Sequence, residues 1–255
     1  MNGTYRDLEL AWKGLRATHD LRVREVACVG APRTLLCVDV GDHMLPGIAL
    51  AAGIHGDEPA GPWALLGFVS EGKLDPRYSY RIWPCTNPTG FSAGTRESCD
   101  GVDLNRTFGR GGGSPEAKAI LTANRDYAFA LSIDLHEDRD ASGFYCYEYG
   151  GAELGRAAVC ALDEAGLPVD PMEDTFDLAG PLDDSSCERE RGRIVADGGL
   201  EAAAIGGFSY NMLLARRAAR HALTFETPLE APWDVRLTMH HLAISAAIGA
   251  LSRVS

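Results

Sequence analysis

The sequence predicts a single α/β domain with a mixed, largely parallel twisted sheet that is flanked by helices. Short apolar runs typical of buried strands alternate along the chain with longer segments whose apolar residues recur at helical spacing. No internal repeat or linker divides the 255 residues, so we expect residues 1–255 to form one domain. The hydrophobic share of 45% is sufficient for a full core.

In the first half of the chain, an amphipathic helix over residues 1–20 precedes two apolar strands. Residues 59–70 have the pattern of a helix, and Pro84 ends the strand that follows it. The predicted strands in this half are residues 35–40, 48–52 and 78–83. Residues 86–114 then form a Gly-rich loop, and a loop of this length inside a compact domain is usually functional.

The second half begins with a helix whose start is well marked. Ser114 is a typical N-cap residue, Pro115 suits the first helical position, and Glu116 complements the positive end of the helix dipole. The helices predicted here are residues 115–127, 153–165 (ended by Gly166), 208–220 and 231–254, and the strands are residues 129–135, 144–149 and 222–225. Residues 170–199, rich in Asp, Glu, Arg, Pro and Gly, predict a long surface excursion.

The composition argues against several classes of function and location. The formal net charge of −12 disfavours nucleic acid or an anionic membrane as the main partner. Seven cysteines without a Cys-x-x-Cys pair predict reduced thiols rather than a disulfide framework or a cysteine zinc site. Residues 1–16 lack a signal-peptide core, and no apolar run is long enough to span a bilayer. We therefore expect a cytoplasmic protein without a membrane partner.

His55 and Glu58 lie on one short turn between a predicted strand and a predicted helix. Open α/β sheets bind their ligands where strands end in this way. A His and a Glu three residues apart can point at the same spot, where a divalent metal would accept an imidazole nitrogen and a carboxylate. Alternatively, His55 is an ordinary surface residue and Glu58 only complements the helix dipole.

His136 and Glu226 also follow directly on predicted strands. Strands of one sheet that end at the same edge would bring both residues close to the turn of His55 and Glu58. A catalytic zinc takes three protein ligands and keeps one position open, and His55, Glu58 and His136 would supply those three. Glu226 would then remain to accept a proton from water that the metal activates. Taken singly, His136 also fits a backbone-bonded histidine and Glu226 a surface carboxylate.

The long loop carries side chains that suit an anionic substrate. Arg96 and Arg106, together with Asn105, would form a surface beside the metal that binds a carboxylate and a carbonyl oxygen. Asp103 is placed to hold a ligand imidazole through its second nitrogen. Without a metal site, the same residues would be the ordinary charges of a solvated loop.

The motifs occur in a fixed order between residues 50 and 228. They are His55-Gly-Asp-Glu58, Asn87-Pro-Thr-Gly90, Arg96, Gly101-Val-Asp-Leu-Asn105-Arg106, Leu135-His136 and Glu226-Thr227. This set resembles the zinc metallocarboxypeptidase family, the carboxypeptidase A-like enzymes, and the short chain is similar to compact bacterial members such as murein peptide amidase. The related succinylglutamate desuccinylase and aspartoacylase group shares the metal motif but usually lacks the Asn-Pro-x-Gly turn.

The resemblance implies a carboxypeptidase-like fold with one Zn²⁺ ion as cofactor. The ion would be bound by His55, Glu58 and His136, and Asp103 would orient His55. Glu226 would act first as general base and then as general acid.

The resemblance also implies how the substrate is bound. Arg96 would polarise the scissile carbonyl, and Asn105 with Arg106 would bind the free carboxylate. Many family members have a tyrosine upstream of the catalytic glutamate that closes over the substrate. Tyr210 is the candidate in this region, although its surroundings match no clear motif.

The predicted function is a zinc-dependent hydrolase that cleaves an amide bond next to a free carboxylate, either a metallocarboxypeptidase or a peptide amidase. Its substrate would be a peptide, or an N-acyl amino acid if the chain is instead a deacylase of the desuccinylase and aspartoacylase type. A non-catalytic binding module on the same fold is the alternative from another class. A structural zinc site is disfavoured because such sites usually have four protein ligands rich in Cys. The oligomeric state does not follow from the sequence.

Overall fold

A mixed β-sheet forms the centre of the part of the chain that the structure, a computed structural model, describes: residues 3–109, 113–172, 187–196 and 207–254. The strands are β1 (Leu21–Val26), β2 (Leu35–Val40), β3 (Gly47–Ala52), β4 (Ser79–Trp83), β5 (Phe129–Asp138), β6 (Tyr145–Tyr149), β7 (Cys187–Glu190), β8 (Arg193–Ala196) and β9 (Ala219–Pro228). The α-helices are α1 (Tyr5–Leu15), α2 (Ala60–Ser70), α3 (Pro88–Ala93), α4 (Pro115–Ala123), α5 (Leu154–Glu164), α6 (Tyr210–Arg217) and α7 (Trp233–Leu251).

The strand order across the sheet is β1-β2-β4-β3-β5-β9-β6-β8-β7. The four central strands β4, β3, β5 and β9 are parallel, so their carboxyl ends meet at one edge of the sheet. On either side, β2 pairs with β4 and β6 pairs with β9 in antiparallel orientation. The prediction of an α/β fold with a mixed sheet flanked by helices is confirmed. Parallel strand pairs lie mainly in the centre of the sheet. That residues 1–255 form one domain stays a prediction.

Helices cover both faces of the sheet because successive strand residues point to opposite sides. In β3, Leu50 packs into a core cluster with residues of α1, α2, α5 and α7. The next residue, Ala51, packs into a second cluster with residues of α4 and α6. Burial on both faces explains why the central strands are continuous apolar runs. None of the described helices is both long and apolar enough to cross a membrane.

The edges of the sheet differ most from the sequence prediction. β1 was not predicted, because an edge strand with exposed charged residues has no apolar run. The surface excursion predicted over residues 170–199 is wrong where it is described, since β7 and β8 extend the sheet there. A buried ion pair between Arg193 and Glu148, with an N···O distance of 2.6 Å, holds β8 in place. Residues 173–186 and 197–199 lie outside the described residues.

The predicted loop over residues 86–114 contains two helical segments. The side chain of Asn87 caps α3 by accepting a hydrogen bond from the Gly90 N–H at 2.9 Å, so the predicted turn is the start of a helix. A 3₁₀ helix, Leu104–Arg106, follows. β5 and β9 also extend beyond their predicted ends, so His136 and Glu226 lie within these paired strands, two residues before their last residues, rather than after them.

Candidate metal centre

Close backbone packing positions the turn that carries His55 and Glu58. β3 ends at Ala52 and α2 begins at Ala60, so the turn lies at the carboxyl edge of the parallel strands. Gly56 lies against α3, where an added Cβ atom would be 1.9 Å from the carbonyl carbon of Gly90. Only glycine permits this approach, which brings the turn into contact with α3.

Asn87 connects this turn to the loop. Its side-chain NH₂ donates to the carbonyl oxygens of Ile54, at 3.3 Å, and of Arg96, at 3.2 Å. The residue is completely buried, so these bonds are shielded from water. The Asn-Pro-x-Gly motif therefore has a structural function: it fixes the backbone of Arg96 beside the turn of His55 and Glu58.

His55, Glu58 and His136 converge on one buried point. The Nδ1 atom of His55 is 2.5 Å from Oε1 of Glu58, and the Nδ1 atom of His136 is 2.9 Å from Oε2. One ligand atom from each residue lies within 4.8 Å of the others, and the two imidazole ring centres are 4.9 Å apart. Each residue is at most 6% exposed. Two imidazoles and one carboxylate with a shared centre are a donor set that could hold a metal ion.

The second nitrogen of each histidine is held by an aspartate. Nε2 of His55 is 3.3 Å from Asp103, and Nε2 of His136 is 3.1 Å from Asp134. Both carboxylates can accept an Nε2–H, an arrangement that would leave the Nδ1 atoms free to bind a metal ion at the common centre. Asp103 is in contact with His55, and its role in orienting that imidazole stays a prediction, whereas the sequence analysis missed Asp134. Its signal was its position two residues before His136 on one strand, which places both side chains on the same face.

The charges of the centre also fit a divalent cation. Burial raises the pKa of Glu58, but the adjacent His55 and His136 outweigh it and hold that pKa well below the usual range. Burial lowers the pKa of His136, but the carboxylates of Asp134 and Glu58 outweigh it and raise that pKa well above its usual value. The carboxylates around the centre therefore favour a positive charge at this point. The donor set, its burial and its surplus of negative charge therefore fit a metal ion at this point.

Glu226 lies directly beside the centre. It is the Cα partner of His136 across the β5–β9 ladder and of Tyr145 across the β9–β6 ladder. Its side chain lines a cleft above the centre and is partly exposed there. Burial raises the pKa of Glu226 well above the usual range, and the nearby Glu58 and Asp138 carboxylates raise it further, whereas His136 lowers it. A carboxylate in such an environment can take up a proton at moderate pH.

Arg96 lies at the rim of the centre. Its Nε and Nη2 atoms donate to one oxygen of Asp103, at 3.3 Å and 3.1 Å, and its Nη1 atom is 3.6 Å from Glu58. Asp103 therefore holds both a candidate ligand imidazole and this guanidinium. The arrangement aims a fixed positive charge at the space above the centre.

Asn105 and Arg106 line the cleft on the same side. The side-chain oxygen of Asn105 accepts a hydrogen bond from the backbone N–H of Tyr210 at 3.1 Å, which leaves its NH₂ group as the donor that it can offer. Arg106 donates from Nη1 to the carbonyl oxygen of Asn105 at 3.1 Å. Together they present donors and one positive charge, as a carboxylate site requires.

The structure contradicts the prediction for Tyr210. Its side chain is 1% exposed and packs edge to face on Phe108, with ring centres 5.4 Å apart. It belongs to the core cluster beneath α6, and so it does not close over the cleft. The aromatic wall of the cleft comes instead from Tyr145, Tyr147 and Tyr149, which alternate on β6. Their period of two was visible in the sequence as one face of a strand.

The cleft above the centre has a volume of about 190 Å³. Candidate ligands, the candidate base and the loop residues all face it. Its lining residues are His55, Glu58, Arg96, Asn105, Arg106, His136, Glu137, Asp138, Tyr145, Tyr147, Tyr149, Ser209, Met212, Thr224 and Glu226.

The chain is similar to known proteins in part of its sequence and in its fold. Residues 44–166 match the model of the succinylglutamate desuccinylase/aspartoacylase catalytic domain. Over 111 residues the chain is 34% identical to carboxypeptidase SOL1 of Arabidopsis thaliana, a match that covers 36% of this chain and only 23% of that protein.

Among solved structures, the chain is similar to the "putative metallopeptidase" of Shewanella baltica OS155, with 24% identity, a TM-score of 0.77 and coverage of 98% and 92% of the two chains. The metallo-carboxypeptidase of Burkholderia cenocepacia has 16% identity and a TM-score of 0.69, with coverage of 96% and 68%. The resemblance predicted from the motifs is confirmed: the chain has a metallocarboxypeptidase-like fold, and residues 44–166 match the desuccinylase and aspartoacylase catalytic domain.

Proposed function

We propose that this protein is a zinc-dependent hydrolase that cleaves an amide bond next to a free carboxylate, as a metallocarboxypeptidase or peptide amidase. The observation that supports it is the convergence of His55, Glu58 and His136 on one buried point, with Glu226 beside them. A structural zinc site would close the fourth position with another protein ligand. Here the fourth side opens into the cleft.

His55, Glu58 and His136 would hold the ion through Nδ1, a carboxylate oxygen and Nδ1. When bound there, the ion supplies a Lewis acid that polarises the scissile carbonyl and activates water. Asp103 and Asp134 keep the two imidazoles in the tautomer that ligation requires.

Glu226 moves the proton. Its carboxylate accepts a proton from the attacking water as the new C–O bond forms. It then delivers that proton to the amide nitrogen as the C–N bond breaks, so the products are a carboxylic acid and an amine. The raised pKa of Glu226 suits the role of base, because a carboxylate of ordinary pKa accepts a proton less readily.

The loop residues orient the substrate. Arg96, held by Asp103, stabilises the negative charge that develops on the carbonyl oxygen. The NH₂ group of Asn105 and the guanidinium of Arg106 bind the free carboxylate. This positioning requires a substrate whose carboxylate lies close to the scissile amide.

Substitution Glu226→Gln tests the proposal. We expect the variant to retain one equivalent of zinc by elemental analysis and to lose about 10³-fold or more in kcat/KM on peptide and N-acyl amino acid panels. Glu164→Gln, an exposed carboxylate on α5, is the matched control and should keep full activity. A fully active Glu226→Gln enzyme would refute the assigned role.

An N-acyl amino acid deacylase is the second candidate. The match of residues 44–166 to the desuccinylase and aspartoacylase domain favours it, and the same catalytic residues would serve. Kinetic profiling separates the two: a carboxypeptidase prefers peptides, whereas a deacylase prefers amino acids that carry a simple acyl group.

A further inference from the structure

Asp138 lies on the far side of the metal centre from the carboxylate-binding residues. On β5 it follows His136 by two residues and shares its face of the sheet, about 6–7 Å further along the strand. The side-chain oxygen of Asn105 accepts a hydrogen bond from the backbone N–H of Tyr210, the first residue of α6. The next residue of α6, Asn211, accepts a hydrogen bond from Ser132, which precedes His136 on β5. The centre therefore lies between the two ends of the cleft.

Neutral donors fix the orientation of the Asp138 carboxylate. The Tyr145 hydroxyl donates to Oδ2 at 2.8 Å, and the backbone N–H of Asp140 donates to Oδ1 at 2.9 Å. Among the described residues, no cation forms an ion pair with Asp138. The nearby Arg139 instead pairs with Glu230 at 3.3 Å, at the exposed rim. Asp138 thus presents a fixed negative charge to the cleft.

The other carboxylates of the cleft already have partners or other duties. Glu137 points to the opposite face, where it accepts from Arg236 at 2.5 Å and from the Ala60 N–H at 2.7 Å. Glu58 belongs to the metal centre, and Glu226 is the candidate base. Asp138 is therefore the lining carboxylate that remains to bind a positively charged group of a substrate.

We propose that Asp138, oriented by Tyr145, binds a protonated amine on the acyl side of the scissile amide. The proposal rests on the proposed function, because the free carboxylate at Asn105 and Arg106 sets the direction of the substrate. With the scissile carbonyl at the centre, the acyl group extends toward Asp138. An α-amine is two bonds from that carbonyl carbon, and Asp138 lines the same cleft about 6–7 Å along the strand from His136. The substrate class is an aminoacyl amino acid with a free amine.

The same charge opposes acyl groups that carry their own carboxylate. A succinyl group would place a negative charge against Asp138, and like charges in a partly desolvated cleft repel. Succinylated amino acids are therefore expected to be poor substrates, although residues 44–166 match a domain named for a desuccinylase.

Three matched compounds test the proposal with the zinc-loaded full chain: glycyl-, propionyl- and succinyl-phenylalanine. The same three acyl groups are also tested on the amino acid that the peptide panel shows to be cleaved best. Glycyl and propionyl groups have nearly the same shape but differ in a protonated amine at about pH 6.5. We expect kcat/KM for the glycyl compound to exceed that for the propionyl compound on the order of tenfold. The kcat/KM for the succinyl compound should lie below that for the propionyl compound by a similar factor. Propionyl cleaved as well as glycyl would overturn the proposal without touching the hydrolase assignment.

The variant Asp138→Asn keeps the shape and the hydrogen bond to Tyr145. The ratio of kcat/KM for glycyl to that for propionyl should fall toward one, whereas Asp140→Asn, its exposed neighbour, should keep the wild-type ratio. Zinc content measured on both variants shows that the centre is retained. An unchanged ratio in Asp138→Asn would refute the subsite, and absence of cleavage for every compound would refute the hydrolase assignment instead.

Discussion

The substitution Asp134→Ala should weaken zinc binding while leaving all three candidate ligands in place. Asp134 is 1% exposed, and its carboxylate is 3.1 Å from Nε2 of His136. The alanine variant leaves that nitrogen buried without its acceptor, so the ring loses both its orientation and part of its basicity. Loss of such a partner typically lowers metal affinity about 10- to 100-fold, which corresponds to about 1.4–2.7 kcal/mol.

The loss of zinc affinity can be measured by thermal unfolding as well as by direct titration. At a zinc concentration of about 100 times the wild-type Kd, the ion stabilises the native protein by about 2.7 kcal/mol. In a variant that binds zinc tenfold more weakly, the ion would stabilise the native protein by only about 1.4 kcal/mol at that concentration. Competition against a chromophoric chelator gives the Kd itself, and Asp134→Asn, which keeps an acceptor oxygen, should lose less affinity than Asp134→Ala.

Ser132→Ala is the matched control for this experiment. Ser132 precedes Asp134 by two residues on the same face of β5, and its hydroxyl donates to Asn211 at 2.6 Å. Its loss should lower the free energy of unfolding by about 1 kcal/mol without changing the zinc Kd. If Asp134→Ala bound zinc within twofold of the wild type while folded, the argument that Asp134 supports His136 would be refuted.

Two further predictions concern stability. Glu148→Ala should lower the free energy of unfolding in urea by about 3–5 kcal/mol, because it leaves Arg193 buried without this partner. Glu230→Ala, which removes one partner of an exposed ion pair, should change that free energy by less than ~1 kcal/mol. Similar losses in both variants would contradict the reasoning. Glu116 is buried, and burial raises its pKa above 4.5, so its ionisation destabilises the fold as the pH rises through that raised pKa. Glu116→Gln should therefore raise the Tm at pH 7 but not at pH 3–4, and an equal gain at both pH values would exclude this cause.

Local patterns predicted most of the central architecture. The strand over residues 48–52 and the helix that begins after Ser114 appear in the structure within one residue at their starts, because burial on both faces and capping chemistry are written in adjacent residues. β1, β7 and β8, which lie at the two margins of the sheet, escaped prediction because such strands are defined by their partners. β8 depends on Glu148, 45 residues earlier in the chain, as the partner of Arg193.

In the candidate site, too, some features follow from residue types and spacing, and others depend on the tertiary structure. The residue types and spacing of His55, Glu58, His136 and Glu226 predicted a metal-site chemistry before any contact was known. Their roles in turnover stay predictions, although the structure brings the four side chains to one cleft. Tyr210 was assigned to the substrate from its place in the chain, and the direction of its ring, which the sequence does not specify, put it in the core.

The sequence by itself determined which side chains are candidate metal donors, which charged and amide side chains the loop carries and the alternation of strands and helices, since each depends on residue type and near neighbours. Tertiary structure decided which aspartate holds which imidazole, which tyrosines line the cleft and which carboxylate is left without a cation. These are properties of side chains that are distant along the chain or on adjacent strands. Their separation and direction are set by strand register and packing, and a linear pattern carries no information on either.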